Sequence, residues 1–331
     1  MRILRLLFLL VLVAAIFAGY LLYRFMSPYQ GFQGAVFVDV PRGTTTEGIA
    51  ERLAAAGVVR SKSDFLLARL WRRGSRLQAG EYRFDHAASA GEVFDRIARG
   101  DIFFYSLVVP EGRNMFDIGA EIEKLGLFPA SEFVAAARNP AMIRDLDPDA
   151  PSLEGYLFPN SYRLNRHATP ESVCRLMTGK FRDVWHGIKS TTGVHQTITL
   201  ASLVEKEGKL PEERPQIAAV FENRLRIGMK LDCDPTTIYA ALLEHRYRGT
   251  IYRSDLDSEN AYNTYRHAGL PPGPIANPGA ASIQAVLQPA PIDAIYFVLK
   301  PDGSGSHEFN NNMAAHDAAT GRYRRGLQKV H

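Results

Sequence analysis

The chain holds only two cysteines in 331 residues, Cys174 and Cys233, and no C-x-x-C pair. That spacing excludes a thiolate zinc site and a dithiol redox centre. In an oxidising compartment the two thiols form one disulfide or remain separate buried groups, and the sequence leaves both open. Dense Lys/Arg blocks are also missing. A net charge of +4 and a pI near 9.0 suit an anionic polymer or membrane surface without forming a nucleic-acid footprint. H-E-x-x-H, G-x-S-x-G, Walker and G-x-G-x-x-G motifs are all absent, so zincin, nucleophile-elbow, NTPase and dinucleotide chemistries have no residues to stand on. His307 and His316 lack an evident third ligand and read as ordinary polar histidines. Asp232-x-Asp234 is broken as a calcium loop by Pro235 and Thr236. Asp234 reads instead as the cap of a helix opened by Pro235-Thr-Thr-Ile-Tyr239. Neither metal nor organic cofactor is expected.

Long hydrophobic runs are equally scarce: there is one. Leu6 to Tyr23 is an uncharged stretch of 18 residues, close to what a bilayer crossing needs. Arg2 and Arg5 precede it and Arg24 follows, which favours a cytoplasmic amino terminus. A cleaved signal peptide would have a shorter apolar region and a small-residue cleavage site, and neither is present. The run therefore reads as an uncleaved anchor, with Tyr20, Tyr23 and Tyr29 suited to an interfacial belt. Everything from about residue 28 onward then lies outside the cytoplasm. Hydrophobic residues at 46% and charged residues at 22% mark the remainder as folded.

Beyond the anchor comes an internal repeat. Val40-Pro41-x-Gly43 recurs as Val109-Pro110-x-Gly112, and at the same shift of 69 residues Ile49 matches Ile118, Leu53 matches Ile122 and Gly57 matches Gly126. Each copy reads as a strand (35–40, 105–109), a Pro-Gly turn, a helix of about ten residues and a Gly stop. Thr44-x-x-Glu47 has the form of a capping box. Between the copies, 81–84 reads as a strand and 89–99 as a helix. Such small strand–helix units resemble the LysM module, which binds glycan backbones; a spacer that binds nothing has the same pattern.

From about residue 130 helices dominate: 131–144, 170–189 with Val173, Leu176, Met177, Phe181 and Val184 inward, 197–207, and 211–228 with Ile217, Val220, Phe221 and Leu225 on one face. A short strand at 294–299 has Glu308-Phe309 as its expected partner across the Gly303–Gly305 turn. The fold class is α+β. It comprises an anchor (1–28), a LysM-like extracytoplasmic subdomain (29–130) and a larger, mainly helical catalytic domain (131–331).

The most informative stretch is Ala201-Ser-Leu-Val-Glu-Lys-Glu-Gly208. Helical steps back from Glu207 reach Val204, Leu203 and Leu200, so Glu207 prolongs an apolar stripe. Gly208 stops the helix and leaves Glu207 at its negative end. Burial and the dipole both favour the protonated form, which suits a general acid. A surface Glu at a misjudged boundary gives the same spacing. Glu205 falls on a different face, with Ile198, Ala201 and Ser202. Downstream come loops rich in amides, hydroxyls and rings: Asn223, Tyr262-Asn-Thr-Tyr265, Gly269–Gly279 and His307-Glu-Phe-Asn310. Rings stack on sugar faces and fixed amides bond to hydroxyl and N-acetyl groups, so one acid beside them reads as a glycan-cleaving site.

The motifs Glu154-Gly-Tyr-Leu-Phe-Pro, Ala201-Ser-Leu-Val-Glu-Lys-Glu, Val220-Phe-x-Asn-Arg-Leu-x-x-Gly-Met229, Asp234-Pro-Thr, Tyr262-Asn-Thr-Tyr265, Gly269-Leu-Pro-Pro-Gly273, Asn277-Pro-Gly279 and His307-x-Phe-Asn310 are similar to those of the endolytic murein transglycosylase family (MltG, YceG-like). They occur in the family's order and the resemblance spans nearly the whole chain. It implies a single-pass inner-membrane enzyme that cuts the MurNAc-β-1,4-GlcNAc bond of nascent peptidoglycan strands non-hydrolytically and leaves 1,6-anhydro ends. The second Glu of Glu-Lys-Glu, here Glu207, would be the catalytic acid, with Glu205 and Asp234 supporting. Tyr262, Asn263, Asn223, Asn310, Glu154 and Tyr265 are the candidate substrate contacts, and peptidoglycan synthases the candidate protein partners. Gly208-Lys209 directly after Glu207 departs from one familiar form of the motif. Two rivals remain: a lysozyme-like hydrolase, and a membrane-anchored glycan-binding scaffold without activity.

Overall fold

The computed structural model describes residues 2–72, 74–188 and 193–327. Helix α1 (Arg2–Met26) carries the apolar run. Its length of about 37 Å at 1.5 Å per residue exceeds the ~30 Å hydrocarbon layer. The segment Arg5–Met26 is apolar and long enough to cross a membrane.

The chain divides into two compact units, Met1–Tyr105 and Ser106–His331. In the first, α1 is followed by β1 (Val36–Val40), α2 (Thr46–Ala55), α3 (Lys62–Trp71), β2 (Gly80–Phe84) and α4 (Ala90–Arg99). The two strands pair antiparallel, Val36 opposite Phe84 and Val40 opposite Gly80. Alternate strand residues Val38, Val40, Tyr82 and Phe84 turn inward onto Ile49, Leu53, Phe65 and Phe94, all buried. Each such side chain contributes roughly 1.5–3 kcal/mol on burial. The start of α2 corrects the sequence reading. Thr45, not Thr44, is the cap and accepts from Gly48 N at 3.1 Å, while Thr44 Oγ1 donates back to Pro41 O. In this unit a complete capping box is found on α4, where Ser89 and Glu92 bond reciprocally.

The second unit comprises β3 (Tyr105–Val109), which starts at the boundary, α5 (Met115–Lys124), α6 (Ala130–Ala137), β4 (Asn160–Leu164), α7 (Pro170–His186), α8 (Val194–Glu207), α9 (Arg214–Arg226), α10 (Asp234–Leu243), α11 (Arg253–Leu256), α12 (Ala280–Leu287), β5 (Tyr296–Leu299), β6 (His307–Asn310) and α13 (Met313–Leu327). Strands β3 and β4 pair, as do β5 and β6, the latter with Phe297 opposite Phe309 and Val298 opposite Glu308, as expected. The repeat is larger than its sequence signature. Each copy is strand–helix–helix–strand, β1-α2-α3-β2 and β3-α5-α6-β4. The copies differ in the last connection, residues 72–79 in one and the much longer 138–159 in the other, and the longer one carries the Glu154 motif.

Pro140 ends α6 early and starts a short 3-10 turn, because a proline cannot donate to the helix ladder. Leu176, expected inward on α7, is exposed, and that helix ends at His186; Lys189 lies outside the described residues. Residues 211–228 form a 3-10 turn followed by α9. Helix α8 packs against α9, α10 and α12, and Thr197 through Val204 are all buried. Over that span it is buried on every side rather than amphipathic. Cys174 and Cys233 are free and buried, which settles the cysteine question as two separate thiols. The architecture is α+β.

Candidate active site

Because α8 is buried all round, the stripe through Val204, Leu203 and Leu200 does not separate Glu207 from Glu205: Ile198, Ala201 and Ser202, on the face of Glu205, are equally buried. Their partners separate them. Glu205 has a side chain only 5% exposed, paired with Arg214 Nη2 at 3.0 Å. It also accepts from Gly279 N at 3.0 Å and Ser282 Oγ at 2.7 Å. Those bonds join the end of α8 to the starts of α9 and α12, and they occupy three of the carboxylate's roughly four lone-pair positions with structural partners.

Glu207 is the last residue of α8; Gly208 N bonds back to Val204 O at 2.8 Å and closes the helix. Among the described residues its side chain has one hydrogen bond, from Cys233 Sγ to Oε1 at 3.3 Å. It opens into a cleft of about 350 Å³ shared with Arg224, Asp232, Asp234, Tyr265 and Tyr296. Burial pushes the Glu207 carboxyl above the usual carboxylate range, and Asp234 adds to this. The Cys233 thiol and the charges of His307 and Arg224 oppose it. A carboxyl poised this way, facing a cleft, can give a proton and take one back.

Cys233 is held in place by its backbone. Its N–H donates to Thr264 Oγ1 at 3.0 Å, its C=O accepts from Thr236 Oγ1 at 2.6 Å, and the two threonine hydroxyls bond to each other. So the Asp234-Pro-Thr and Tyr262-Asn-Thr-Tyr265 motifs lock together and aim the thiol at Glu207. Asp234 does not cap α10, as the sequence reading expected; Cys233 occupies that position without a side-chain cap bond. Asp234 is the first helical residue, exposed, and accepts from Tyr265 Oη at 2.7 Å. Asp232 sits beside it with φ +47, a left-handed conformation that Asp tolerates better than most residues. The sequence showed no second acid near Glu207; the fold brings two into its cleft.

The other expected substrate contacts are placed differently. Of the six, Tyr265 alone lines the cleft. Asn223 donates to Ile292 O and Ala294 O, both at 2.9 Å. Asn263 donates to the carbonyls of Asp255, Leu256 and Ser258 and accepts from Tyr265 N. Asn310 is a buried strand residue opposite Tyr296. The Tyr262 ring packs on Tyr239 with centroids 5.0 Å apart. Glu154, 1% exposed, accepts from Met115 N at 2.9 Å and Asn277 Nδ2 at 2.7 Å. These amides close the protein's own loops. A short polar side chain in a Pro/Gly-rich loop has the same sequence signature whether it bonds to backbone or to sugar.

Asn277 is the centre of that scaffold. Its Oδ1 accepts from Gly155 N and Leu157 N, and its Nδ2 also donates to Arg113 O. Burial raises Glu154 to about 8, opposed by the bonds from Met115 N, Tyr239 and Asn277. A carboxyl raised from 4.5 to about 8 by folding binds its proton more tightly in the native state. Its contribution to stability is full below the unfolded value and is lost as pH rises through the folded one. Unfolding by urea at pH 5 to 8 should therefore show a slope from this group of at most about 1.4 kcal/mol per pH unit. Glu154→Gln should remove that slope whatever it does to absolute stability, and parallel curves for the two proteins would refute the assignment.

Glu213, to which the sequence assigned no role, pairs with His307, which read as an ordinary polar histidine. Glu213, buried, accepts from His307 N at 2.8 Å and sits 2.7 Å from its Nδ1, which fixes the orientation of the imidazole ring. His307 in turn bears electrostatically on Glu207 and packs edge-on against Phe297. Glu213 and His307 are 94 residues apart, and no local pattern announces the pair. Among the described residues no cluster of His, Cys, Asp and Glu suited to a metal occurs.

The sequence profile of the YceG-like family matches residues 38–322. An endolytic murein transglycosylase of Bacillus subtilis (strain 168) is 29% identical over 87% of this chain and 84% of its own length. One from Streptococcus pneumoniae serotype 2 is 28% identical over 85% of this chain and 57% of that protein. The crystal structure of a YceG-like protein from Listeria monocytogenes covers 87% of this chain with 27% identity and a TM-score of 0.55. From residue 38 to residue 322, then, across both compact units and the cleft that Glu207 lines, the chain belongs to the YceG-like family.

Proposed function

We propose that this chain is an endolytic lytic transglycosylase of peptidoglycan, a carbon–oxygen lyase anchored in the cytoplasmic membrane by α1 with the rest of the chain extracytoplasmic. The names of the Bacillus and Streptococcus relatives support the activity. The observation that carries it is Glu207: a carboxyl raised by burial, free of ion-pair partners among the described residues, facing a polar cleft. In the first step Glu207 protonates the glycosidic oxygen as the C1–O bond of N-acetylmuramic acid breaks and the N-acetylglucosamine leaves as an alcohol. In the second, Glu207 as carboxylate takes the proton of the muramoyl 6-hydroxyl, whose oxygen closes on C1. Atoms balance without water, and Glu207 ends protonated as it began. The nucleophile belongs to the substrate, so one protein carboxyl suffices.

Strand–helix–helix–strand unit β1-α2-α3-β2 is LysM-like in element order and is assigned the holding of glycan; peptidoglycan synthases are the proposed neighbours. Asp232 and Asp234 beside Glu207 favour a second reading, hydrolysis through a carboxylate pair. End-group chemistry distinguishes the two. Mass spectrometry of digested uncrosslinked glycan is expected to find 1,6-anhydro ends. Reducing ends would establish a hydrolase, and intact strands would leave only a binding protein.

A further inference from the structure

The end of α1 is joined to the first unit without a flexible linker. Arg24 Nη2 pairs with the buried Asp64 of α3 at 2.8 Å. Phe25 packs onto the core of the unit and lies against Gly91 of α4. Ser27 N bonds back to Tyr23 O, and Tyr29 and Ala88 exchange backbone bonds at 3.0 and 3.2 Å. If α1 crosses a bilayer, this unit starts where the apolar run stops, and any group near Phe25 sits at the level of the headgroups.

Leu70 and Trp71, the last two residues of α3, are such groups. They are 58% and 67% exposed, far more than a soluble core helix leaves its large apolar side chains. The Trp71 ring lies 5.5 Å, centroid to centroid, from the ring of Phe25. The pair is flanked in the chain by Arg69, Arg72 and Arg76. Arg60, from the α2–α3 connection, reaches the same exit point: it donates to Pro28 O at 3.3 Å and its guanidinium lies over the Tyr29 ring at 5.3 Å. Of the acids here, Asp64 is paired with Arg24 and Asp95 with Arg72 at 2.6 Å. Tryptophan favours the membrane–water boundary, and arginines complement lipid phosphates.

We infer that the carboxyl end of α3, Leu70 and Trp71 with Arg69, Arg72 and Arg76 around them, docks the first unit onto the surface of the bilayer that α1 crosses. This second contact is peripheral and fixes the orientation of the unit relative to the membrane. It rests on the reading of α1 as a membrane span. Trp71 and Trp185 are the two tryptophans of the chain, so Trp185→Phe leaves Trp71 as the sole tryptophan probe.

The test places the full chain carrying Trp185→Phe in vesicles of phosphatidylethanolamine and phosphatidylglycerol at low protein-to-lipid ratio. Trp71 emission should shift to the blue relative to water-exposed tryptophan, resist iodide, and be quenched by lipids brominated on the acyl chain. Leu70→Glu should return the emission toward that of an aqueous site. Water-like emission with full iodide quenching would overturn the inference. So would protection that appears only at high protein density, since a second copy would then be the cover. Alkaline carbonate extraction reports α1 separately. Protein that stays in the membrane with a wet Trp71 refutes the docking and keeps the anchor, and protein that washes off refutes the anchor.

Discussion

Replacing Glu207 by Gln is expected to lower glycan cleavage by about 10²–10⁴-fold, the range that a positioned acid–base group supplies. Both steps pass through this one carboxyl, so the loss should lie toward the upper end. The fold should not suffer. Gln has the same shape, still accepts from the Cys233 thiol, and removes a carboxyl whose ionisation burial disfavours. The wild-type profile carries a further signature. The acid must be protonated to start, so kcat/KM should fall as pH rises through the raised pKa of Glu207, and that alkaline limb should vanish in the residual activity of Glu207→Gln. Anhydro-ended products measured by mass spectrometry, together with a thermal midpoint, read both claims. Undiminished cleavage by the variant would end the assignment.

The mirror-image result is expected two residues earlier. Glu205→Ala strands the Arg214 guanidinium, whose side chain is only 10% exposed; its remaining acidic partner, Glu111, lies 3.5 Å away and is half in solvent. Gly279 N and Ser282 Oγ lose their acceptor at the same time. Breaking a buried pair from one side costs about 3–5 kcal/mol. For a unit of this size that corresponds to a fall in Tm of roughly 6–20 °C. Differential scanning of the two variants side by side makes the comparison, with activity lost and stability kept for Glu207→Gln, and stability lost for Glu205→Ala. A Glu205→Ala protein that melts with the wild type would show that this carboxylate does not tie α8 to α9 and α12.

The contrast between these two acids also marks where sequence reasoning ran out. Strand boundaries set by Val-Pro-x-Gly were legible, and β3 matches its expected span; local turn chemistry decides such ends. The β5–β6 pairing was legible for the same reason, since the Gly303–Gly305 turn brings Val298 opposite Glu308. Periodicity picked Glu207 by an argument that applies equally to Glu205, because α8 has no solvent face for a stripe to contrast with. What separates the two acids is contact with Arg214, Gly279, Ser282 and Cys233, all four on other helices or at their starts. The amide-rich loops looked like ligand sites because Asn263 and Asn277 advertise only that they will hydrogen-bond, not to what. The Glu213–His307 pair needed the tertiary fold itself.

The repeat has a consequence for descent. Two copies share one element order and the Val-Pro-x-Gly turn, one with a brief final connection at 72–79 and the other opened at 138–159, the pattern that duplication of a single module leaves. In the second copy the opened connection supplies Glu154, Gly155 and Leu157, the residues that Asn277 grips. The second copy thus serves as a foundation for the second unit, because its longer loop is where the rest of the chain fastens to it. Homologues whose insertion is shortened should then have lost the matching asparagine as well, so the two changes serve as a joint genealogical character for sorting early branches of the family.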